Sequence, residues 1–432
     1  MRKIAIVLLL AGLLASVPAR AVICAVDDVP AATLLLPYFE VNLDDMWGVD
    51  TVFSVNNASA TAVLAHVVVW SDLSVPVLDF NIYLTGYDVQ TINLRDVLHG
   101  VLPRTASDGQ DPNDTISPQG AFSQDINFAS CTGLLPPPQL PASFVQHLQL
   151  SLTGQSSSVL GDRCAGLSYG DNIARGYITI DTVNNCTLRF PGDPGYFGAG
   201  GTGDATNQNV LWGDYFYVTD GQNLASGTTL VHIEAAPGTG TSAFNTYGPN
   251  PETTTAGQYT FYGRYVGWTA ADNREPLTTN FSVRYLNGGV FSGGTDLQVW
   301  RDSKVNQAPF TCPATNGRPA WFPLGQEAVI IFDEQEQPVT SEECPSGDPT
   351  CTQTILIPNE ANRVDVAADL LSPFNFGWAY LNLQHPDTAY ADPFAQMWLT
   401  ATMDAEGRFS VGFSGIQLDN ANAPVTTVIP VP

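Results

Sequence analysis

The stretch that decides the fold is Val63-Leu-Ala-His-Val-Val-Val-Trp70, which is apolar on both faces of an extended chain apart from its single histidine. Side chains alternate across a strand, so a run without alternation predicts a strand buried on both sides, inside a sheet. Similar runs surround it, separated by Gly, Asn, Asp and Pro turns: Thr33–Phe39, Thr51–Val55, Val77–Leu84 and Val89–Leu94. Short strands at this spacing are typical of a β-sandwich, and they predict a first module at residues 31–103.

Residues 104–175 are rich in Asp, Asn, Gly, Ser and Pro, which predicts a loop-rich linker or insertion with one short helix near Ala142–Leu152. Strand patterns return in a second β-rich region at residues 176–432. They lie at Gly176–Val183, Val210–Val218, Thr229–Glu234, Gln258–Trp268, Asn280–Tyr285, Asp296–Arg301, Ala328–Phe332, Thr352–Ile357, Phe376–Leu383, Ala395–Met403 and Arg408–Ile416. We therefore predict an all-β protein of tandem antiparallel β-sandwich modules, Ig-like or jelly-roll-like, with long Gly/Pro-rich loops.

One short pattern occurs twice. Thr51-Val-Phe-Ser-Val55 is followed by Trp70-Ser-Asp72, and Thr279-Asn-Phe-Ser-Val283 is followed by Trp300-Arg-Asp302. The Phe-to-Trp separation is 17 residues in the first copy and 19 in the second. The pattern indicates either two related sandwiches or a chance similarity between strands.

The first 21 residues predict a cleaved secretory signal peptide. A basic start precedes an apolar run at residues 4–14, and Ala19-Arg20-Ala21 supplies the small residues that precede a cleavage site. The apolar run is too short to span a bilayer, which takes roughly 20 residues. We expect a mature chain that begins at Val22 and is extracellular or periplasmic, with no membrane span.

The chain is strongly acidic, with 42 Asp and Glu against 16 Lys and Arg and a net charge of −26. Nucleic acids and anionic membranes bind clustered basic residues, so both are disfavoured as partners. Solubility outside the cell explains the acidity most simply, and a divalent cation or a cationic partner is the functional alternative. Asp108-Gly-Gln-Asp-Pro-Asn-Asp114 is the best calcium candidate, although an acidic, solvated turn is the simpler interpretation.

Seven cysteines in an exported chain predict disulfides, and the odd number leaves one thiol over. Cys344 and Cys351 are the pair we expect first, because the residues between them, Pro-Ser-Gly-Asp-Pro-Thr, are turn formers. Cys164 and Cys186 flank one predicted strand and are the second expected pair. The remaining connectivity stays open.

Several segments also carry a resemblance to a protein family. They are Leu34-Leu-Leu-Pro-Tyr38, Asp50-Thr-Val-Phe-Ser-Val-Asn-Asn57, Phe332-Asp-Glu-Gln-Glu336, Pro358-Asn-Glu360 and Gly407-Arg-Phe-Ser-Val-Gly-Phe413. Together they resemble an uncharacterised family of secreted bacterial β-sandwich proteins, over most of the mature chain. The resemblance implies export and β architecture, and it implies no activity and no catalytic residue.

No residue pattern indicates catalysis or a cofactor. The five histidines are dispersed, and His66 and His232 lie in apolar strands, where a buried histidine of the core or the sheet is the better interpretation. Four acidic residues lie in or beside strands, but nothing selects a pair of them for glycoside hydrolysis. They are Asp79, Glu234, Asp333 and Glu360. We therefore predict a protein that is not an enzyme.

Eight tryptophans are enough to form a platform on which sugar rings stack. Most of them lie within apolar strands and are more simply core residues. Trp47, in the turn Asp44-Asp-Met-Trp-Gly48, is the one that we expect to be partly exposed.

Two classes of function follow. The first is a non-catalytic secreted β-sandwich protein with a surface-structural, adhesion or assembly role, whose partner is a second copy, a cell-surface protein or a glycan. The second is a carbohydrate-binding or carbohydrate-active extracellular protein. A concave groove with exposed rings and two nearby carboxyl groups would favour the second class.

Overall fold

The computed structural model describes residues 29–105, 131, 133–235, 260–267, 271–278, 280–303, 307–312, 319, 322–326, 328–340, 357–370, 372–383 and 396–417. The first ten strands are β1 (Thr33–Asn42), β2 (Val49–Asn57), β3 (Val63–Ser71), β4 (Pro76–Leu84), β5 (Val89–Asn93), β6 (Ile173–Val183), β7 (Leu211–Trp212), β8 (Asp214–Thr219), β9 (Leu224–Thr229) and β10 (Val231–Ile233). The later strands are β11 (Asn280–Leu286), β12 (Gly294–Arg301), β13 (Ala328–Asp333), β14 (Pro338–Thr340), β15 (Ala361–Asp365), β16 (Phe376–Asn382), β17 (Met397–Asp404), β18 (Ser410–Ser414) and β19 (Ile416–Gln417). The described α-helices are α1 (Leu94–Leu98), α2 (Ala142–Leu152) and α3 (Gly263–Val266).

The described strands form four antiparallel sheets. The central sheet has the order β10-β1-β6-β3-β4, and the flanking sheet has the order β5-β2-β8-β9, with β7 also paired to β2. The third sheet has the order β15-β12-β17-β18, and the fourth has the order β14-β13-β16-β11-β19. The predicted all-β class is therefore confirmed.

Strand β3 lies inside the central sheet, between β6 and β4, and every one of its residues is buried. Successive side chains of β3 belong to different cores. Val67 packs in the core shared with the flanking sheet, whereas Val68 packs in the core shared with the third and fourth sheets. The expectation of a strand that is buried on both faces is confirmed, and it explains why this run shows no polar alternation.

The first core lies between the central and flanking sheets. Leu34 and Ile180 of the central sheet pack there with Phe53 and Tyr215 of the flanking sheet, and the helices α1 and α2 add leucines and a valine. Each fully buried side chain of this size contributes roughly 1.5–3 kcal/mol of transfer free energy. This core therefore joins strands that are distant in sequence.

The second core lies on the other face of the central sheet. Trp70 stacks on Tyr177, with ring centroids 5.7 Å apart, and Tyr177 meets Trp300 of the third sheet edge-on at 6.0 Å. Phe281 of the fourth sheet contacts Trp398 of the third in the same core. This second core therefore fixes the third and fourth sheets against the central sheet.

The strands of residues 31–103 do not form complete sheets without strands from later in the chain. Strand β6 lies between β1 and β3, and β8, β9 and β10 complete the flanking and central sheets. The predicted linker contains α2, at the residues where a short helix was expected, as well as the first residues of β6. Composition changes mark loops along the chain, but they carry no information about which strand edges pair.

One predicted strand is wrong. Within residues 258–268, the described part forms helix α3, followed by Gly267 with a φ of +62°. The apolar pattern of Phe261 and Tyr262 is typical of a strand, yet their buried rings enter the second core from the turn directly before helix α3. Strand β9 was not predicted because its sequence, Leu-Ala-Ser-Gly-Thr-Thr, lacks the apolar β-branched pattern of a strand.

Two disulfides join the described cysteines. Cys131 pairs with Cys186, and Cys164 pairs with Cys312. The expected pair of Cys164 with Cys186 is therefore wrong: they lie beyond opposite ends of β6, whose 11 residues span about 36 Å. Cys344 and Cys351 lie outside the described residues.

Three further expectations also fall outside the described residues: the signal peptide at residues 1–21, the calcium candidate at residues 108–114 and strand Thr352–Ile357 apart from its last residue. Among the described helices, none is long and apolar enough to cross a membrane.

The two copies of the Phe–Trp pattern occupy comparable strands. β2 and β3 belong to the flanking and central sheets, and β11 and β12 belong to the fourth and third sheets. Phe53 and Phe281 are buried, as are Trp70 and Trp300. The strands that pair with β3 are β4 and then β6, and those that pair with β12 are β15 and then β17, so the partners follow in the same order along the chain in both copies. A duplication stays a prediction.

Candidate functional site

A cleft lies where the central and flanking sheets meet the third sheet. It consists of two hollows of about 340 Å³ and 330 Å³ that share four residues, Tyr38, Glu40, Asp296 and Arg363. These residues come from β1, β12 and β15, which are distant in sequence. Hollows of this size are typical of sites for small ligands.

Glu40 forms the floor of the cleft, and three donors reach its carboxylate. The Tyr38 hydroxyl donates to Oε1 at 2.7 Å and Arg175 Nε donates to the same oxygen at 3.4 Å. Arg363 Nη1 donates to Oε2 at 3.1 Å. Because Tyr38 and Glu40 are two positions apart in β1, and side chains alternate along a strand, both side chains lie on one face of it.

Arg363 connects the central sheet to the third sheet. Its second nitrogen, Nη2, donates to Asp296 Oδ2 at 2.7 Å, so one guanidinium holds carboxylates from two sheets. The Arg363 side chain is 47% exposed and that of Asp296 is 21% exposed, so water reaches this group. We refer to Glu40, Asp296 and Arg363 as the cleft charge cluster.

Arg175 closes the side of the second hollow. It makes two parallel hydrogen bonds to Asp171, at 2.8 Å and 2.6 Å, and its guanidinium carbon lies 4.4 Å from the centre of the Tyr169 ring. Two-point pairing of this kind fixes the orientation of the guanidinium as well as its position. The Tyr169 ring is half exposed, at 48%.

Beside its charged residues, the first hollow is lined by neutral polar side chains. Gln298 Nε2 donates to the Thr402 hydroxyl at 3.0 Å, and the Tyr217 hydroxyl donates to the carbonyl of Tyr38 at 2.6 Å. Ser226 also lines the hollow, and its buried hydroxyl has no hydrogen-bond partner among the described residues. A buried hydroxyl without a partner costs free energy, so a ligand that pairs with it gains that amount.

The electrostatics of the cleft disfavour anions. Burial raises the pKa of Asp296, while the neighbouring Arg363 lowers it in part. Burial alone would lower the pKa of Arg363, but Glu40 and Asp296 outweigh that effect and raise it. Both hollows hold more acidic than basic residues, since Asp404 lines the first and Asp365 and Asp369 line the second.

A second group with the same chemistry is buried. Arg264 Nη1 lies 2.8 Å from Glu360 Oε1 and 3.3 Å from Asp302 Oδ1, and all three side chains are at most 4% exposed. Arg264 Nη2 also donates to the Tyr177 hydroxyl at 3.1 Å, and Ser303 N donates to Glu360. We refer to Arg264, Asp302 and Glu360 as the buried charge cluster.

The four acidic residues named from the sequence do not form a site. Asp79 lies on β4, Glu234 follows β10, Asp333 ends β13 and Glu360 belongs to the buried charge cluster. Burial raises the pKa of Asp79, and its Oδ2 lies 3.9 Å from Nε2 of buried His66. The structure therefore brings none of these carboxyl groups to the cleft.

The expectations for His66, His232 and Trp47 are confirmed. His66 and His232 are buried in strands β3 and β10, and Nδ1 of His66 lies 3.0 Å from Asn81 Oδ1. Trp47 is 59% exposed. Trp212 is also exposed, at 42%, which its apolar surroundings in the sequence did not indicate.

Sequence reasoning missed every residue of the cleft charge cluster. Part of a signal was present, because Asp296 is a charged residue inside a predicted strand and Glu40 directly follows one, whereas the strand that holds Arg363 was not predicted. Charged side chains are rarely placed in strands that face a core unless they are paired. The sequence does not show which strands are neighbours and thereby bring these three residues together.

Comparison of the chain with protein-family models, with curated proteins and with solved structures finds no match.

Proposed function

We propose that this chain is a non-catalytic, exported β-sandwich protein with an adhesion role, and that its cleft binds an uncharged glycan. In this proposal the central and flanking sheets form one sandwich and the third and fourth sheets form the other. The extracellular or periplasmic location follows from the signal pattern at residues 1–21, and the two disulfides agree with it.

The observation that carries the proposal is the lining of the first hollow. Amide and hydroxyl groups from Gln298, Thr402, Ser226 and Tyr217 surround it, next to the side chains of Leu224 and Met403. Sugars present hydroxyl groups on a partly apolar ring, so this mixture complements them. The unpartnered Ser226 hydroxyl gives such a ligand a specific hydrogen bond to make.

The pairing of the carboxylates supports binding without catalysis. A general acid must hold a proton close to the leaving group, and a nucleophilic carboxylate must reach the reacting carbon. In the cleft, both oxygens of Glu40 accept hydrogen bonds from donors of the protein, and Asp296 pairs with Arg363. The acidic excess favours a neutral sugar over an anionic one.

The experiment is a glycan array probed with the purified mature chain, followed by titration calorimetry with the best neutral oligosaccharide. We expect saturable binding without release of shorter products. Ser226→Ala should weaken the affinity about fivefold, the value of roughly one hydrogen bond, without loss of stability.

Ser158→Ala is the matched control, because Ser158 is exposed and lies outside the cleft. It should bind like the wild type. Three results would contradict the proposal: no neutral glycan bound, equal affinity in Ser226→Ala, or turnover of the bound sugar. Binding only to a protein or to a second copy would instead support the assembly role.

A further inference from the structure

The outer face of the flanking sheet carries two exposed rings. Trp212 is 42% exposed and Phe216 is 44% exposed. In the strand pairing, Trp212 lies opposite Asn56 and Phe216 lies opposite Val52, both in β2. The two pairs have the same register, so both rings are on one face, about 13 Å apart along the strand. We refer to this surface as the ring face.

A glycine allows the Phe216 ring to lie over the neighbouring strand. Gly227 of β9 is the residue paired with Phe216, and a Cβ atom on it would come within 2.3 Å of Phe216 Cδ1. No other residue type leaves this space. The ring therefore covers the glycine backbone on one side and faces solvent on the other, which is the orientation that stacking requires.

Polar side chains fill the space between the two rings. Asn56 Nδ2 donates to Ser54 Oγ at 2.9 Å, and Ser54 Oγ donates to Asp214 Oδ1 at 2.7 Å. Asn56 is 1% exposed, and its amide oxygen has no hydrogen-bond partner within the described part of the chain. Thr91 and Thr229, paired with Ser54 and Asp214, extend this polar row across the sheet.

We propose that the ring face is a second binding surface and that it takes a neutral polysaccharide in extended form. The rings would stack on the apolar faces of two separated sugar units. The accessible members of the polar row, which are Thr91, Asp214 and Thr229, would pair with hydroxyl groups of the sugars between them. Asp214 on the face and the net charge of −26 disfavour acidic polymers.

The ring face differs from the cleft in position and in ligand size. The cleft is lined by Leu224 and Ser226, which alternate along β9 with the outward-facing Ala225 and Gly227. The two surfaces are therefore on opposite faces of the flanking sheet. An extended polymer fits the open face, whereas a short oligosaccharide fits the hollow, and neither site needs the other.

The test is retention of the purified mature chain on insoluble cellulose, chitin, mannan and β-1,3-glucan, with alginate as the acidic polymer. We expect retention on at least one neutral polymer and none on alginate. Trp212→Ala and Phe216→Ala should each weaken the retention constant about tenfold, and the double variant should abolish retention. Both side chains are exposed, and unchanged thermal unfolding would confirm that the variants fold.

Trp47→Ala is the control, since Trp47 is an exposed tryptophan in the turn before β2 and is not one of the paired strand residues that form the ring face. It should be retained like the wild type. The inference is overturned if no neutral polymer retains the chain, or if the ring variants are retained as well as Trp47→Ala. Ser226→Ala separates the two proposals. Unchanged retention of this variant on the polymer, together with weakened oligosaccharide binding, would show two separate sites. Loss of its retention on the polymer would contradict a separate ring face.

Discussion

The buried charge cluster and the cleft charge cluster have the same composition, one arginine between two carboxylates, and differ in their access to water. Arg264, Asp302 and Glu360 are at most 4% exposed, whereas Arg363 is 47% exposed. A buried charged group has lost its hydration, so removing any of its partners in the protein destabilises the folded state. An exposed pair contributes little to stability. The comparison indicates that the buried cluster supports the fold and that the cleft cluster is available to a ligand.

The largest effect is expected from Arg264→Met. This change leaves Asp302 and Glu360 buried next to each other without their shared cation. Breaking a buried pair in this way costs about 3–5 kcal/mol of unfolding free energy. Denaturant unfolding measures it, and adding Glu360→Gln to Arg264→Met should recover part of the loss. A cost well under about 1 kcal/mol would show that the buried charge cluster does not support the fold.

Glu275 is a buried carboxyl group that, unlike those of the buried charge cluster, has no arginine among its hydrogen-bond partners in the described residues. Glu275 is 2% exposed, and its Oε2 has no hydrogen-bond partner among the described residues. Burial, with a further contribution from Glu234, raises its pKa from the usual 4.5 to about 8.

The pH dependence of stability follows from this shift. Below pH 4.5, Glu275 is protonated in both the folded and the unfolded chain and has no effect. Between pH 4.5 and 8 the unfolded chain ionises first, so the folded state loses about 1.4 kcal/mol per pH unit. Glu275→Gln should remove this loss and leave the variant more stable than the wild type at pH 8. Parallel stability curves for the two proteins would contradict the assignment.

A smaller effect on stability is expected from Arg363→Met. Because water reaches its guanidinium, the change should cost about 1 kcal/mol or less, and 1 M salt should remove most of that cost. The cost of Arg264→Met should persist in the same salt. Unfolding midpoints at low and high salt for both variants provide the measurement, and equal salt dependence would show that the two clusters do not differ as described.

Much of the fold could be predicted from local patterns, and the cleft could not. β3 and its neighbours follow from apolar runs and turn residues, which act over a few positions. Glu40, Asp296 and Arg363 meet only because β1, β12 and β15 come together in space. Cys186 pairs with Cys131 for the same reason: the ends of a strand are close to other segments, and not to each other.

The ring face shows a second limit of sequence reasoning. Trp212 and Phe216 have apolar neighbours in sequence, so both read as core residues. Trp212 and Phe216 are four positions apart in the β7–β8 segment and both face outward, while Tyr215, next to Phe216, faces the opposite way and is buried. Gly227, which permits the ring orientation, is 11 residues away and has no signal of its own.

Of the two charge clusters, only the cleft charge cluster is expected to serve binding. Calorimetric titration of Arg363→Met and Arg264→Met with the array-selected neutral oligosaccharide, under conditions where both variants are folded, tests this expectation most directly. We predict that Arg363→Met loses affinity about tenfold while its unfolding free energy falls by about 1 kcal/mol or less. Arg264→Met should lose stability while each folded molecule binds within about twofold of the wild type. Unchanged affinity in Arg363→Met, or an equal loss of affinity in both variants, would contradict the account.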